Sequence, residues 1–158
     1  MSSEEFRVTP PKGGAYLLFL EVKQQVTVEV GGLGRLDFIP GIYAYTGSAM
    51  NGLEARVGRH LRGDGKLHWH IDHLRRHAKP MGALLIPSEM KQECAVNALL
   101  DRWTGSEPYA PGFGCSDCSC DTHLHRLEGG ALSSLRSHFG PGAWLAPFPD
   151  RTRRLKGF

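Results

Sequence analysis

No apolar stretch in this 158-residue chain runs longer than residues 15–20, far short of the roughly 20 residues a membrane-spanning helix needs. The opening residues Met1-Ser2-Ser3-Glu4-Glu5 lack the basic start and apolar stretch of a secretion signal. Cysteine is scarce. There are four, three of them crowded into residues 115–120, whereas secreted disulfide frameworks usually space theirs more widely. Internal repeats, low-complexity segments and a linker long enough to divide the chain into separate domains are missing as well. These absences argue against a membrane protein and against a disulfide-rich secreted one, and the expectation is a cytoplasmic, reduced, single-domain protein. With 41% hydrophobic residues, folding at this length buries roughly two-thirds of the unfolded surface, so a core can form unaided.

Charge of one sign is also short over most of the chain. The net charge is +3, but residues 51–80 hold seven Lys/Arg against three acids and the tail from Asp150 holds four against one, leaving eight against twelve elsewhere. The first basic segment carries five of the eight histidines, His60, His68, His70, His73 and His77, so it gains charge further as pH falls. A local surplus of this kind points to a phosphate-bearing partner, with a solvated charged face as the plain alternative.

Residues 1–12 and 148–158 read as arms: the first contains Pro10-Pro11 and the second is the arginine-rich tail. Between them, residues 15–22 and 26–30 are rich in β-branched and aromatic side chains. Joined by the polar Lys23-Gln24-Gln25, they suggest a hairpin. Residues 36–46 supply a third strand, with a bulge or a fresh start at Pro40-Gly41. The period then lengthens: Leu53, Val57 and Leu61 recur every fourth position, which predicts a helix over residues 51–62. Residues 67–78 read as an extended lead-in followed by a short helix. Residues 82–86 form a short buried strand stopped by Pro87. Ser88 is a candidate cap for a helix running to Trp103. After a Gly/Pro/Cys-rich loop come a strand at 123–127 and a helix at 132–139. Strands grouped ahead of helices predict an α+β domain over residues 13–147, with a small antiparallel or mixed sheet flanked by helices.

On the helix over 51–62, Arg56 and His60 stack at the margin of the apolar stripe, while Arg59 and Arg62 point away from it. A half-buried Arg needs an anion, either a structural carboxylate or a bound phosphate. On the helix after Ser88, Glu89, Glu93, Val96, Leu100 and Trp103 share one stripe, so Glu93 faces inward. An inward carboxylate there either exploits the helix dipole or ligates a hard divalent ion such as Mg²⁺.

From Tyr45-Thr46-Gly47-Ser48-Ala49 through Leu53-Glu54-Ala55-Arg56 to His60, the chain resembles the second half of the GIY-YIG nuclease signature. With Gly14-Ala15-Tyr16, His68-Trp69-His70-Ile71-Asp72 and Phe113-Gly114-Cys115-Ser116-Asp117-Cys118 added, it resembles the Uri superfamily branch. That branch occurs as a stand-alone domain or fused to endonuclease III. The resemblance spans residues 13–127. The literal Gly41-Ile42-Tyr43 cannot be the family's first motif, because only Ala44 separates it from Tyr45 and the two motifs lie on neighbouring strands. Gly14-Ala15-Tyr16 takes that place, residues 24–34 become part of an inserted hairpin, and Tyr43, on the same face as Tyr45, stands as a supporting neighbour of the site or as the alternative functional tyrosine.

The resemblance implies a metal-dependent endonuclease acting on DNA, in repair or processing alongside a repair partner protein. It implies Tyr16 as general base, Tyr45 as a positioner of substrate or water, Arg56 as stabiliser of phosphate charge and Glu93 as holder of Mg²⁺ or Mn²⁺. His60, and one of His68 or His70, would orient the leaving group or assist proton transfer. Nucleic-acid contacts are expected at Gly47, Ser48, Arg59, Arg62, Lys66 and His70. Separately, Cys115, Cys118, Cys120, His123 and His125 give C-x2-C-x-C-x2-H-x-H, enough soft ligands for one Zn²⁺, or else a tight Gly-rich loop lining the site. Two further readings stand beside the nuclease: a non-catalytic nucleic-acid-binding module of the same fold, and a zinc-dependent structural or sensor domain.

Overall fold

The computed structural model describes residues 11–63, 65, 67–115 and 118–147; residues 1–10 of the expected arm at 1–12, the expected arm at 148–158, and Lys66 lie outside them. The strands are β1 (Gly14–Val22), β2 (Val26–Glu29), β3 (Arg35–Phe38), β4 (Gly41–Ser48), β5 (Lys79–Pro87), β6 (Ser106–Pro108), β7 (Leu124–Leu127) and β8 (Trp144–Leu145). The helices are α1 (Leu53–Arg62), α2 (His70–Arg75), α3 (Glu93–Asp101) and α4 (Ala131–Phe139). Six strands form one antiparallel sheet in the order β6-β7-β4-β1-β5-β8, while β2 and β3 pair as a separate ribbon. This is the α+β architecture the strand grouping predicts. No helix among the described residues is long and apolar enough to cross a membrane.

The continuous apolar run of β1 is what a strand buried on both faces requires, and β1 sits between β4 and β5. Its side chains alternate between two cores. Tyr16, Leu18 and Leu20 join Leu53, Val57 and Leu61 of α1, Ile71 and Leu74 of α2, and Val28 and Phe38 of the ribbon. Ala15, Leu17 and Phe19 face the other way, onto Val96 and Leu100 of α3 and Ala131 and Leu135 of α4.

Three expectations change. The strands at 15–22 and 26–30 do not pair with each other, because both edges of β1 are already taken; β2 instead turns onto β3, Val26 opposite Phe38 and Glu29 opposite Arg35. The inserted hairpin thus exists but extends to Phe38, and the chain restarts as β4 at Gly41. Ser88 does not cap α3. Its hydroxyl accepts the Met90 N–H at 3.1 Å in a local turn, so α3 begins at Glu93 without a side-chain cap. Glu89 and Trp103 therefore lie off its two ends. Finally, β6 and β8, of three and two residues, were too short to show in the periodicity.

Arg75 closes the C-terminal end of α1, donating to the carbonyls of His60 at 2.6 Å and Leu61 at 3.0 Å, and also to Ala78 at 3.2 Å. Some of the basic segment thus serves the fold. The ribbon is held by two phenols: Tyr43 donates to the Ile39 carbonyl at 2.6 Å and Tyr109 to that of Asp37 at 2.6 Å. Tyr43 packs with Phe38 and Tyr109. Tyr43→Phe is expected to cost about 1 kcal/mol in urea unfolding and to leave the far end of the sheet unchanged.

Candidate functional site

The site forms where β1 begins and β4 ends. Tyr16 lies directly opposite Gly47 in the antiparallel register, and its ring crosses the space that any larger residue at 47 would fill: a Cβ there would fall 2.3 Å from the ring. The glycine of Tyr45-Thr46-Gly47 is therefore a seat for the phenol. Tyr45 stands beside it, ring centroids 6.1 Å apart, and packs edge-on to Phe113.

Behind the phenol, His60 on α1 is 2% exposed and its Nε2 is hydrogen-bonded to the Tyr16 hydroxyl at 3.0 Å. Its Nδ1 faces Asp72 Oδ1 at 3.6 Å. That arrangement favours the tautomer with the proton on Nδ1 and a lone pair turned to Tyr16. Asp72 is held in turn, its Oδ2 accepting the backbone N–H groups of His68 and Trp69, each at 2.9 Å. A continuous row, Tyr16 to His60 to Asp72, links β1, α1 and α2.

Electrostatics keep this row uncharged at its buried end. Burial pushes the Tyr16 pKa well above the ordinary phenol value, against the pull of Arg56, and does the same to Tyr45. Burial also draws His60 down to about 4, with Asp72 opposing and Arg59, Arg56 and Arg75 assisting. His60 is therefore neutral at physiological pH, with its Nε2 bonded to the Tyr16 hydroxyl.

A cleft of about 350 Å³ opens in front of the phenol, lined by Tyr16, Tyr45, Arg56, His68, Lys91 and Glu93 among others. Arg56 sits over the Trp69 ring at 4.3 Å and donates to the Ser48 carbonyl at 3.3 Å. One face of its guanidinium is thus fixed while it borders the cleft. Glu93 reaches the cleft from the first turn of α3. His70 Nδ1 accepts the Gly114 N–H at 2.8 Å, which ties α2 to the Gly-rich loop.

Of the residues predicted for the site, Tyr16, Tyr45, Ser48, Arg56, His68, His70 and Glu93 line this cleft, with Gly47 beneath and His60 behind. Tyr43, on the same face of β4 as Tyr45, is buried in the ribbon's aromatic cluster instead. Arg59, expected to point away, lies over Trp69 at 4.9 Å and 3.8 Å from Asp72. Arg62 is exposed at the end of α1, away from the cleft lining. The cysteine expectation shifts by one ligand: the set that could hold a metal ion is Cys94, Cys118, Cys120 and His123. Cys115 is outside it, its thiol donating to the Phe113 carbonyl at 3.4 Å, and His125 pairs with Asp101 at 2.7 Å.

A family model described as a domain of unknown function, DUF123, matches residues 15–139. The chain belongs to the DUF123 family. No curated protein and no solved structure matches it. The DUF123 match runs from β1 to α4 and takes in every member of the cleft and of the Cys/His set. Lys91, Asp72 and Cys94 were not assigned a role from the sequence of this DUF123 chain. Asp72 carries a signal, three residues after Trp69 at the head of a short helix, where an acid satisfies free N–H groups. Cys94 carries none beyond being the fourth cysteine, since only folding brings it to Cys118, Cys120 and His123.

Two outcomes follow for this DUF123 domain. Gly47→Ala forces the Tyr16 ring aside and is expected to destabilise by about 1–3 kcal/mol. Gly142→Ala, with nothing within 4 Å of the added methyl, should stay within about 0.5 kcal/mol; urea unfolding compares them. Between pH 6.5 and about 4 the unfolded chain binds a proton at His60 that the folded chain refuses. Stability therefore falls with acid in that window, by at most about 3 kcal/mol from this residue. Unfolding at pH 7 and pH 4 should show a shallower loss in His60→Gln, while the burial-depressed His123 and His125 leave some acid sensitivity behind.

Proposed function

We propose that this DUF123 domain is a GIY-YIG-like endonuclease of the Uri type, hydrolysing phosphodiester bonds in DNA with a divalent cation, in DNA repair or processing. The observation that supports this reading most is that Tyr16, Arg56 and Glu93, far apart in sequence, line one cleft, with neutral His60 bonded to the phenol from behind. Water attacks phosphorus, and the bond from phosphorus to a sugar oxygen breaks. The Tyr16 oxygen takes the proton of that water as its own proton passes to His60 Nε2, and the resulting imidazolium faces Asp72. Because burial disfavours a resident phenolate, a concerted handoff is the economical route. Arg56 offsets the charge building on the phosphate oxygens, and Trp69 keeps its guanidinium in place. His68, at the mouth of the cleft, orients the leaving oxygen or gives it a proton.

By donor class, Glu93 suits Mg²⁺ or Mn²⁺, which take one or two carboxylates and fill their remaining positions with water and phosphate. Such an ion would supply Lewis-acid polarisation of the phosphate. The Cys/His set suits Zn²⁺. DNA would lie along Ser48, Arg56, Arg59 and Lys91, and its binding would weaken with salt as counterions are released.

The test is cleavage of supercoiled, branched and single-stranded DNA with Mg²⁺ or Mn²⁺. Wild type cuts; Tyr16→Phe, Arg56→Ala and Glu93→Gln each reduce cutting about a hundredfold or more. Binding survives in Tyr16→Phe and Glu93→Gln, and Tyr43→Phe still cuts. Salt-sensitive binding without cutting under every condition would replace this reading with a non-catalytic binding module of the same fold.

A further inference from the structure

Glu93 and Cys94 are consecutive at the start of α3 yet serve different neighbours. Glu93 lines the cleft, while the thiol of Cys94 joins those of Cys118 and Cys120 and the imidazole of His123, the four ligand atoms all lying within 4.8 Å of one another. Bonds of about 2.3 Å to a tetrahedral Zn²⁺ place its ligands roughly 3.7 Å apart. Cys118 Sγ and His123 Nε2, at 3.3 Å, are already within that spacing, and the other ligand pairs, none more than 4.8 Å apart, would close by at most about 1 Å. Three sulfurs and one imidazole nitrogen complete a closed coordination shell, with no position left for substrate. All four cysteines are free thiols.

The surroundings hold the ligands firmly. The backbone of His123 donates to the Phe113 carbonyl at 2.8 Å and accepts from Thr46 at 2.9 Å. One turn along α3 from Glu93, Asn97 donates to the Thr122 carbonyl at 2.8 Å. Cys118 itself borders the cleft. We infer that Cys94, Cys118, Cys120 and His123 form a structural Zn²⁺ site, and that the ion fastens the start of α3 to the loop ahead of β7 and so fixes Glu93 in the cleft. As it binds, the three thiols release their protons to solvent and bind as thiolates. Cys94 is then a positioning residue acting through its neighbour. That last step rests on the nuclease reading; the zinc site does not.

The experiment uses the full chain, purified under reducing conditions, with zinc content measured and Co²⁺ substituted as a spectroscopic probe. Expected are one zinc per chain and the visible absorption of a tetrahedral, thiolate-bound Co²⁺. Both should be lost in Cys94→Ser, kept in Cys115→Ser and restored by Cys94→His, which supplies another zinc ligand. Mn²⁺ binding followed by electron paramagnetic resonance should weaken about tenfold in Cys94→Ser, recover in Cys94→His and vanish in Glu93→Gln. Loss of cobalt in Cys115→Ser with retention in Cys94→Ser overturns the ligand set, and absence of zinc, or a disulfide between Cys94 and Cys120, overturns the site. Mn²⁺ affinity unchanged in Cys94→Ser overturns the hold on Glu93. Zinc and cobalt signatures as expected in a protein that cuts no DNA would overturn the nuclease reading alone.

Discussion

The close approach of the Tyr16 ring to the bare backbone of Gly47 governs the rest of the site. A side chain on the buried central strand can reach the sheet's open end only by lying across its partner strand, and only glycine leaves room for it there. Once the ring lies so, its hydroxyl meets His60, which positions α1, and His60 meets Asp72, which draws in the head of α2. Burial outweighs the attraction of nearby charges at both titratable members, leaving phenol and imidazole neutral. A neutral, hydrogen-bonded pair can sit in an apolar core at small cost, whereas an ion there would need a full counter-charge.

The local charge is less available than composition suggests. Arg75 is occupied with three carbonyls, and Arg59 lies between the Trp69 ring and Asp72. Trp69 receives two guanidiniums, Arg56 at 4.3 Å and Arg59 at 4.9 Å, and the electron-rich ring face lessens the penalty of bringing two cations together. What remains for an anion at the cleft is chiefly Arg56 and Lys91.

Much of this was legible in the chain itself. The fourfold spacing of Leu53, Val57 and Leu61 located α1 and put Arg56 and His60 at its buried margin. The single residue between Tyr43 and Tyr45 was enough to place both on one strand and to send the search for a partner tyrosine back to Tyr16. What stayed hidden depended on contacts that no local period records. Strand pairing is one: 15–22 and 26–30 read as a hairpin because nothing in either reveals that both edges of β1 are taken. Competition for a hydroxyl is another, since Ser88 suits a cap or a tight turn equally and chose the turn. Cys94 is the clearest instance, for its partners lie more than twenty residues on and meet it only when α3 packs beside the start of β7.

The margins of the six-stranded sheet bear on how the molecule behaves in company. On one side the outermost strand is Ser106–Pro108, where proline has no N–H to offer, and on the other it is the two-residue Trp144–Leu145. Each outermost strand by itself gives a passing strand little ladder to extend, although β8 covers only Ala83 and Leu84 of β5. A protein whose central strand is an unbroken aliphatic run would otherwise be prone to stack into aggregates while folding. Here that run is enclosed by full-length neighbours, β4 and β5, so the most apolar strand never forms the border of the sheet.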